Sequence, residues 1–286
     1  MPSPVAALQR CDGGVEAGFS GADGVTRLTH LFQRNPGRLL FPTVSPGLPP
    51  EAVLVTVAGG LTGGDRMSVR LEAKHAAVAC VTTQAAEKIY RSDGVDTSVL
   101  VDLRVGAGTA LEWMPQETIL FDGARLRRET RISLAPGARL LAGEITIYGR
   151  TARGERFGGG LLFDRWRVQG PDRLLWYDAT RLDGDIGAKM AHPAGYAGAR
   201  ASATLLCGGL PGQPALALSR EWLAGRGDAS LRLGCSLVNG LLVLRWLSAD
   251  AARLRASFVE FWLQLRAARH LHSLLLPDTP PRVWNC

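Results

Sequence analysis

Four strand–turn–strand units recur through the middle of the chain, and their spacing constrains the fold more than any other feature. MSVRLEA and HAAVACVTT flank Lys74-His75; TSVLVDLRV and the segment opening at Leu111 flank Gly106-Ala107-Gly108. RRETRISL and RLLAGEITIYGR flank Ala135-Pro136-Gly137-Ala138; DRWRVQ and RLLWYDATRL flank Gly170-Pro171-Asp172. The turns begin roughly 30 to 34 residues apart, a period typical of repeat architectures. Several of the flanking segments alternate apolar and polar residues, the mark of a strand with one buried face. Two architectures remain open at this point: a stacked, solenoid-like fold, or an antiparallel sandwich with hairpins of similar length.

The rest of the chain reads as follows. Val15 to Phe19 is a candidate first strand, and residues 1–14 are expected to be mobile. RLTHLFQ and RLLFPTV flank Asn35-Pro36-Gly37, a strong turn signal. VLVTVA, at Val53 to Ala58, has the length of a buried strand. LDGDIGAKMAHPAGYAGAR reads as a long loop; strands resume with ASATLLC, ALALSREWLA, ASLRLGCSLV and GLLVLRWLS. A helix is expected from Ser248 to Pro277, because Ala251, Leu254, Phe258, Phe261, Leu265 and Ala268 fall at steps of three or four. Ser248 is its expected cap and Asp250 suits its first turn. Residues 277–286 are expected to form an extended, Pro-rich tail. The expectation is one domain over 1–286, long enough for a sizeable core.

Bulk properties exclude several classes. The net charge of +7 comes mostly from scattered arginines, since Lys74, Lys88 and Lys189 are the only lysines. Arginine favours carboxylate-bearing partners, and no recognition-helix, RNP-type or zinc-finger pattern points to nucleic acid. The cysteines, Cys11, Cys80, Cys207, Cys235 and Cys286, are far apart and odd in number. That argues against a disulfide framework and fits a reducing, cytoplasmic setting. No signal-peptide pattern and no apolar run of about 18 residues is present, so no membrane partner is expected.

Candidate chemistry centres on Leu111 to Ala124, LEWMPQETILFDGA, which sets Glu112, Gln116, Glu117 and Asp122 among large apolar residues. Buried acids need partners. Glu112 and Glu117 could pair as a glycosidase-like acid and base. On one extended strand, five residues apart, they would face opposite sides, which disfavours a catalytic dyad. Lys88, Tyr90 and Arg91 are cations and a phenol expected to meet these acids across a ladder as a buried polar network; the bland reading is a solvated strand end. Gly59 to Gly64 has P-loop glycine spacing, but Asp65 and Arg66 stand where Lys and Ser or Thr are needed. His270 and His272 lie two apart on the expected helix and so face apart; no histidine has a metal-ligand spacing. No G-x-S-x-G elbow is present.

Taken together and in order, GGLTGGDR, VTTQAAEKIYRS, LEWMPQETILFDGA and GRTARGERF at 149–157 resemble the UreD-type (UreH) urease accessory proteins. The resemblance is clearest from Val53 to Phe157 and continues weakly to PPRVWN. It implies a mostly β, β-helical two-layer stack of many strands with a C-terminal helical segment. It also implies a cytoplasmic, non-catalytic chaperone with no tightly bound cofactor and nickel in transit. The implied partners are urease apoprotein and the F-type and G-type accessory proteins. Matched by position, the family's polar residues fall on Asp65, Lys88, Tyr90, Arg91, Glu112, Gln116, Glu117, Asp122 and Glu155, a candidate metal path or polar network. The chain departs from the family pattern at Val57-Ala58 and at Gln84 to Glu87, which puts local loop geometry in question. The rival reading from another class is a carbohydrate-active β-solenoid enzyme with a solvent-open acid pair.

Overall fold

A computed structural model describes residues 10–228, 230–268 and 276–285. The strands are β1 (Asp12–Ala22), β2 (Val25–Arg34), β3 (Gly37–Leu40), β4 (Glu51–Thr56), β5 (Arg66–Lys74), β6 (Val78–Gln84), β7 (Glu87–Ile89) and β8 (Thr97–Val105). They continue as β9 (Ala110–Met114), β10 (Thr118–Leu120), β11 (Arg125–Leu134), β12 (Arg139–Tyr148), β13 (Leu161–Gln169) and β14 (Leu174–Asp183). Helix α1 (Ile186–Ala191), β15 (Ala201–Gly208), α2 (Gly212–Ala224), β16 (Leu231–Val238), β17 (Leu241–Ser248) and α3 (Ala251–Ala267) complete the order.

The repeat is a solenoid. In each of the first three units the two strands do not pair with one another. They lie in different sheets, and each pairs in parallel with its counterparts in the neighbouring units of these three. Thus β5, β8 and β11 align side by side, as do β6, β9 and β12 opposite them. Gly108 and Gly137, at φ of 67° and 69°, supply the left-handed residue that turns the chain between sheets. The fourth unit differs: β13 and β14 form a true antiparallel hairpin and close that edge of the first sheet.

The first sheet runs β14-β13-β11-β8-β5-β1-β2, and the second β16-β17-β15-β12-β9-β6-β4-β3, with β10 joining β12 to β7. Alternation decides which side faces in. On β5, Met67, Val69, Leu71 and Ala73 are buried, whereas Arg66, Ser68, Arg70 and Glu72 face out. Two cores result. One fills the space between the sheets, around Val69, Leu103, Leu111 and Trp113. The other lies between the outer side of the second sheet and the helices, around Trp246, Phe258, Phe261 and Trp262. A helical layer therefore covers one face of the two-sheet stack.

Four local expectations change. ALALSREWLA lies in helix α2, not a strand; its Ala215, Leu216 and Ser219 are buried at helical spacing, and Pro214 sits in the first turn, where no N–H is needed. The loop after β14 contains α1, capped by the Asp185 carboxylate. The cap of α3 is Asp250, which accepts from the Ala252 and Arg253 N–H groups. Ser248 instead ends β17 and accepts from the Asp250 N–H. The tail is not wholly extended, because Arg282–Asn285 forms a 3-10 turn. Residues 1–9, the segment 269–275 with His270 and His272, and Cys286 lie outside the described residues; Asp12–Gly14 already belong to β1.

Candidate functional site: two arginine-centred layers

Pro115 breaks the central stretch in two, and this break governs where its acids point. β9 ends at Met114 and β10 begins at Thr118. With the strand interrupted, Glu112 and Glu117 do not face opposite sides. Both reach the same helix, α3. The Arg266 guanidinium donates to Glu112 at 2.5 Å, and Arg255 Nε lies 2.6 Å from Glu117 Oε1. The two arginines are eleven residues apart, three helical turns, so one face of α3 presents both. Arg266 also donates to Cys80 Sγ and to the carbonyls of Pro277 and Thr279. Trp262 Nε1 donates to Glu112 as well. The side chains of Glu112 and Arg266 are each 3% exposed, so the pair is part of the core. An acid pair held in this way cannot flank a glycosidic bond, which removes the carbohydrate-active reading.

The remaining candidates gather at one end of the stack. Gln116 Nε2 donates to the Val283 carbonyl, tying the stretch to the closing PPRVWN segment. Asp122 Oδ1 accepts from the Gly158 and Gly159 N–H groups, while Oδ2 pairs with Arg91 at 3.0 Å. Glu155 accepts from the Asp122 N–H and from Arg150 Nε, and that guanidinium holds its carboxyl down at about 2. Tyr90 packs edge-on against Phe121 at 4.9 Å and donates to the Gly59 carbonyl. Asp65, 3% exposed, accepts from the Cys11 and Thr62 N–H groups and so organises the Gly-rich turn. At Gly60, with φ of 150°, a Cβ would stand 2.6 Å from the Lys88 carbonyl oxygen. The glycines there serve backbone approach. Of the expected cation–acid ladder, only Arg91–Asp122 forms; Lys88 is exposed and its side chain meets none of the acids.

A second charged layer, not anticipated from the sequence, lies between the sheets. Arg128 on β11 faces inward and meets its register neighbour Asp164 on β13 through two bonds, 3.1 and 2.5 Å. It also lies 3.0 Å from Glu144 of β12 and donates to Thr118 and Thr146. The signal was present: Arg128 and Asp164 interrupt the inward apolar files Leu126-x-Arg-x-Thr130-x-Ile132 and Leu162-x-Asp-x-Trp166. One guanidinium cannot neutralise two carboxylates. Asp164 holds it bidentately, and burial pushes the Glu144 carboxyl well above the usual range.

This yields a pH prediction. As pH rises past about 4.3, the unfolded chain loses the Glu144 proton while the folded chain keeps it. The folded state then binds more protons, so stability falls with rising pH up to the raised folded value. Glu144→Gln should flatten that decline when urea midpoints are compared from about pH 5 to about pH 8. Equal slopes in variant and parent would place the proton elsewhere.

A cavity of about 80 Å³ adjoins this layer, lined by Glu87, Gln116, Thr118, Arg128 and Glu144 among apolar neighbours. Of the nine residues matched by resemblance, only Gln116 lines it. Burial raises the Glu87 carboxyl, against bonds from the Thr56 hydroxyl and the Lys88 N–H. Among the described residues no group of three or more His, Cys, Asp or Glu side chains is placed to hold a metal ion. No described helix is long and apolar enough to cross a membrane.

These features define a class: a β-helical scaffold, two mixed sheets with parallel central strands under a helical layer, whose conspicuous acids are engaged in ion pairs and turn amides. The UreD urease accessory protein family model matches residues 12–285. A urease accessory protein UreD of Magnetococcus marinus is 43% identical over 285 residues, covering 99% of this chain and 96% of that one. One from Methylobacterium sp. (strain 4-46) is 43% identical over 280 residues, covering 97% and 95%. One from Bradyrhizobium diazoefficiens is 42% identical over 285 residues, covering 99% and 97%. The chain belongs to the UreD urease accessory protein family.

Proposed function

We propose that this chain is a non-catalytic scaffold of urease maturation, acting in the cytoplasm. It binds urease apoprotein and, with the F-type and G-type accessory proteins, supports insertion of nickel into the urease centre. The observation that carries this reading is the family match across residues 12–285. Nickel is cargo in this scheme, not a resident cofactor. The inter-sheet cavity, about 80 Å³, brings the carboxyls of Glu87 and Glu144, the Gln116 amide and the Thr118 hydroxyl around one space beside Arg128, and these oxygens are the donors that a passing ion would meet. Oxygen donors hold a borderline metal weakly, and weak sites let an ion leave as well as enter. Asp65, Lys88, Tyr90, Arg91, Asp122 and Glu155 would shape the approach to that space, while Glu112 and Glu117 fix the helical layer.

Co-expression of urease with its accessory proteins, with and without this chain, tests the reading. Omitting the chain should leave an assembled urease poor in nickel, measured by metal analysis of the purified enzyme. Full nickel content without it would overturn the proposal. Asp122→Ala and Glu144→Gln in the same system should lower nickel loading. Wild-type loading in both would remove the conduit and leave the scaffold.

A further inference from the structure

Sheet edges invite unwanted pairing, and natural proteins protect them. The two sheets here have four edges, β14, β2, β16 and β3, and three carry clear protection. β3 is four residues long. The inner leucines of β16 pack under the helical layer beside α2. Along β14, Asn239 and Lys189 donate to the backbone carbonyls of Leu175 and Asp183, and Arg245 reaches across to Asp178.

β2 is different. It is ten residues long and pairs only with β1 among the described residues. It contains neither Pro nor Lys. A bulge opposite Gly18 and Phe19, and the bond from Leu39 N–H to Gln33 near its end, are its main shields. Large apolar side chains are exposed on both of its faces: Val25 at 51%, Leu28 at 38%, Leu31 at 39% and Phe32 at 50%. Among the described residues, seven of the eleven exposed large apolar side chains fall between 25 and 57, and four of them are on β2.

Register sorts the two faces. Leu31 and Leu28 stand beside Ala17 and Phe19 of β1, continuing the inter-sheet apolar layer past its rim. Phe32, His30 and Arg27 stand beside Glu16, Gly18 and Ser20 on the outer face. Phe32 also walls a trough of about 620 Å³ on that outer face, where Arg34, Arg66, Arg70, Arg127, Arg131 and Arg165 outnumber Asp12, Glu16 and Glu129. β2 itself carries Arg27, His30 and Arg34 and no acid. A second copy of the strand would bring only further cations to this positive face.

We propose that β2 is a docking strand, extended by an eighth strand from a partner protein whose side chains alternate between acidic, over the arginine trough, and apolar, beside Leu28 and Leu31. Main-chain bonds would supply affinity and the alternating side chains specificity, as in other strand additions. The identity of the partner as urease apoprotein rests on the functional reading above; the chemistry of the edge does not.

Amide hydrogen exchange on the full chain tests it in two arms. With purified urease apoprotein, exchange should slow across Val25–Phe32, and Leu31→Asp or Arg27→Glu should each weaken binding roughly tenfold, the size of one interface anchor. Both positions are exposed, so thermal midpoints should be unchanged and will confirm folding. A synthetic peptide alternating Glu and Val should give the same protection, and its Lys–Val counterpart should not. Binding of urease at parent affinity by both variants, with no slowing in β2, overturns the docking strand. Protection of β2 by self-association, or equal protection by the Lys–Val peptide, overturns it too. If urease fails to bind the parent chain while the Glu–Val peptide protects β2, the docking strand stands and the functional reading falls.

Discussion

Replacing Arg266 with methionine should lower the free energy of unfolding by about 3–5 kcal/mol, the usual cost of leaving one member of a buried ion pair alone. Methionine keeps most of the aliphatic volume, so the loss comes from the charge. Glu112 would remain 2% exposed, with the Trp262 indole N–H still donating at 3.2 Å but no cation beside it. The carbonyls of Pro277 and Thr279 would each lose a donor. Urea unfolding measures the change. The double variant Glu112→Gln with Arg266→Met should recover much of it, because replacing both partners removes the stranded charge. A double variant as unstable as the single one would trace the loss to packing.

Trp284→Ala should cost about 3–5 kcal/mol as well, through transfer and cavity terms. Its side chain is buried, stacks on Phe258 at 6.5 Å and meets Trp262 edge-on at 5.5 Å. Its indole N–H donates to Thr82 Oγ1 at 2.8 Å. Trp284→Phe keeps most of the ring contact and loses the bond, so it should cost only about 1 kcal/mol, because the Thr82 hydroxyl still donates to the Met114 carbonyl. If phenylalanine were as damaging as alanine, the hydrogen bond would outweigh packing. Trp284 and Arg266 both lock the helical layer to the second sheet, so their effects should not add.

The sequence made the strands of the repeat legible, because each turn carries Gly, Pro or a left-handed residue between alternating segments. It did not reveal that β5 and β6, or β8 and β9, diverge into separate sheets. Hairpin and solenoid share the same local pattern, and only the family resemblance separated them. The buried stripe of α3 was legible at Leu254, Phe258, Phe261 and Leu265, yet Arg266 beside it was not, since a helical arginine ordinarily reads as solvated. ALALSREWLA misled because Ala and Leu at alternate positions imitate a strand over four residues. Within the candidate site, apolar surroundings imply partners for the acids of the central stretch, but not which ones, because Pro115 ends β9 and an unbroken strand would point Glu112 and Glu117 apart. The Arg128 layer needed two strands compared at once: each charge alone looks like an ordinary break in an alternating file.

The bond between Trp284 and Thr82 joins residues 202 apart in sequence. It has a kinetic meaning as well as an energetic one. The parallel ladders can form unit by unit as the chain is synthesised, each closing a loop of moderate length. The clasp on the outer side of the second sheet cannot close until nearly the whole described chain has been made. Until then Cys80, Met114 and Trp246 lie on an uncovered apolar face. The growing chain is therefore most prone to association late in synthesis, when its sheets are built and its lid is missing.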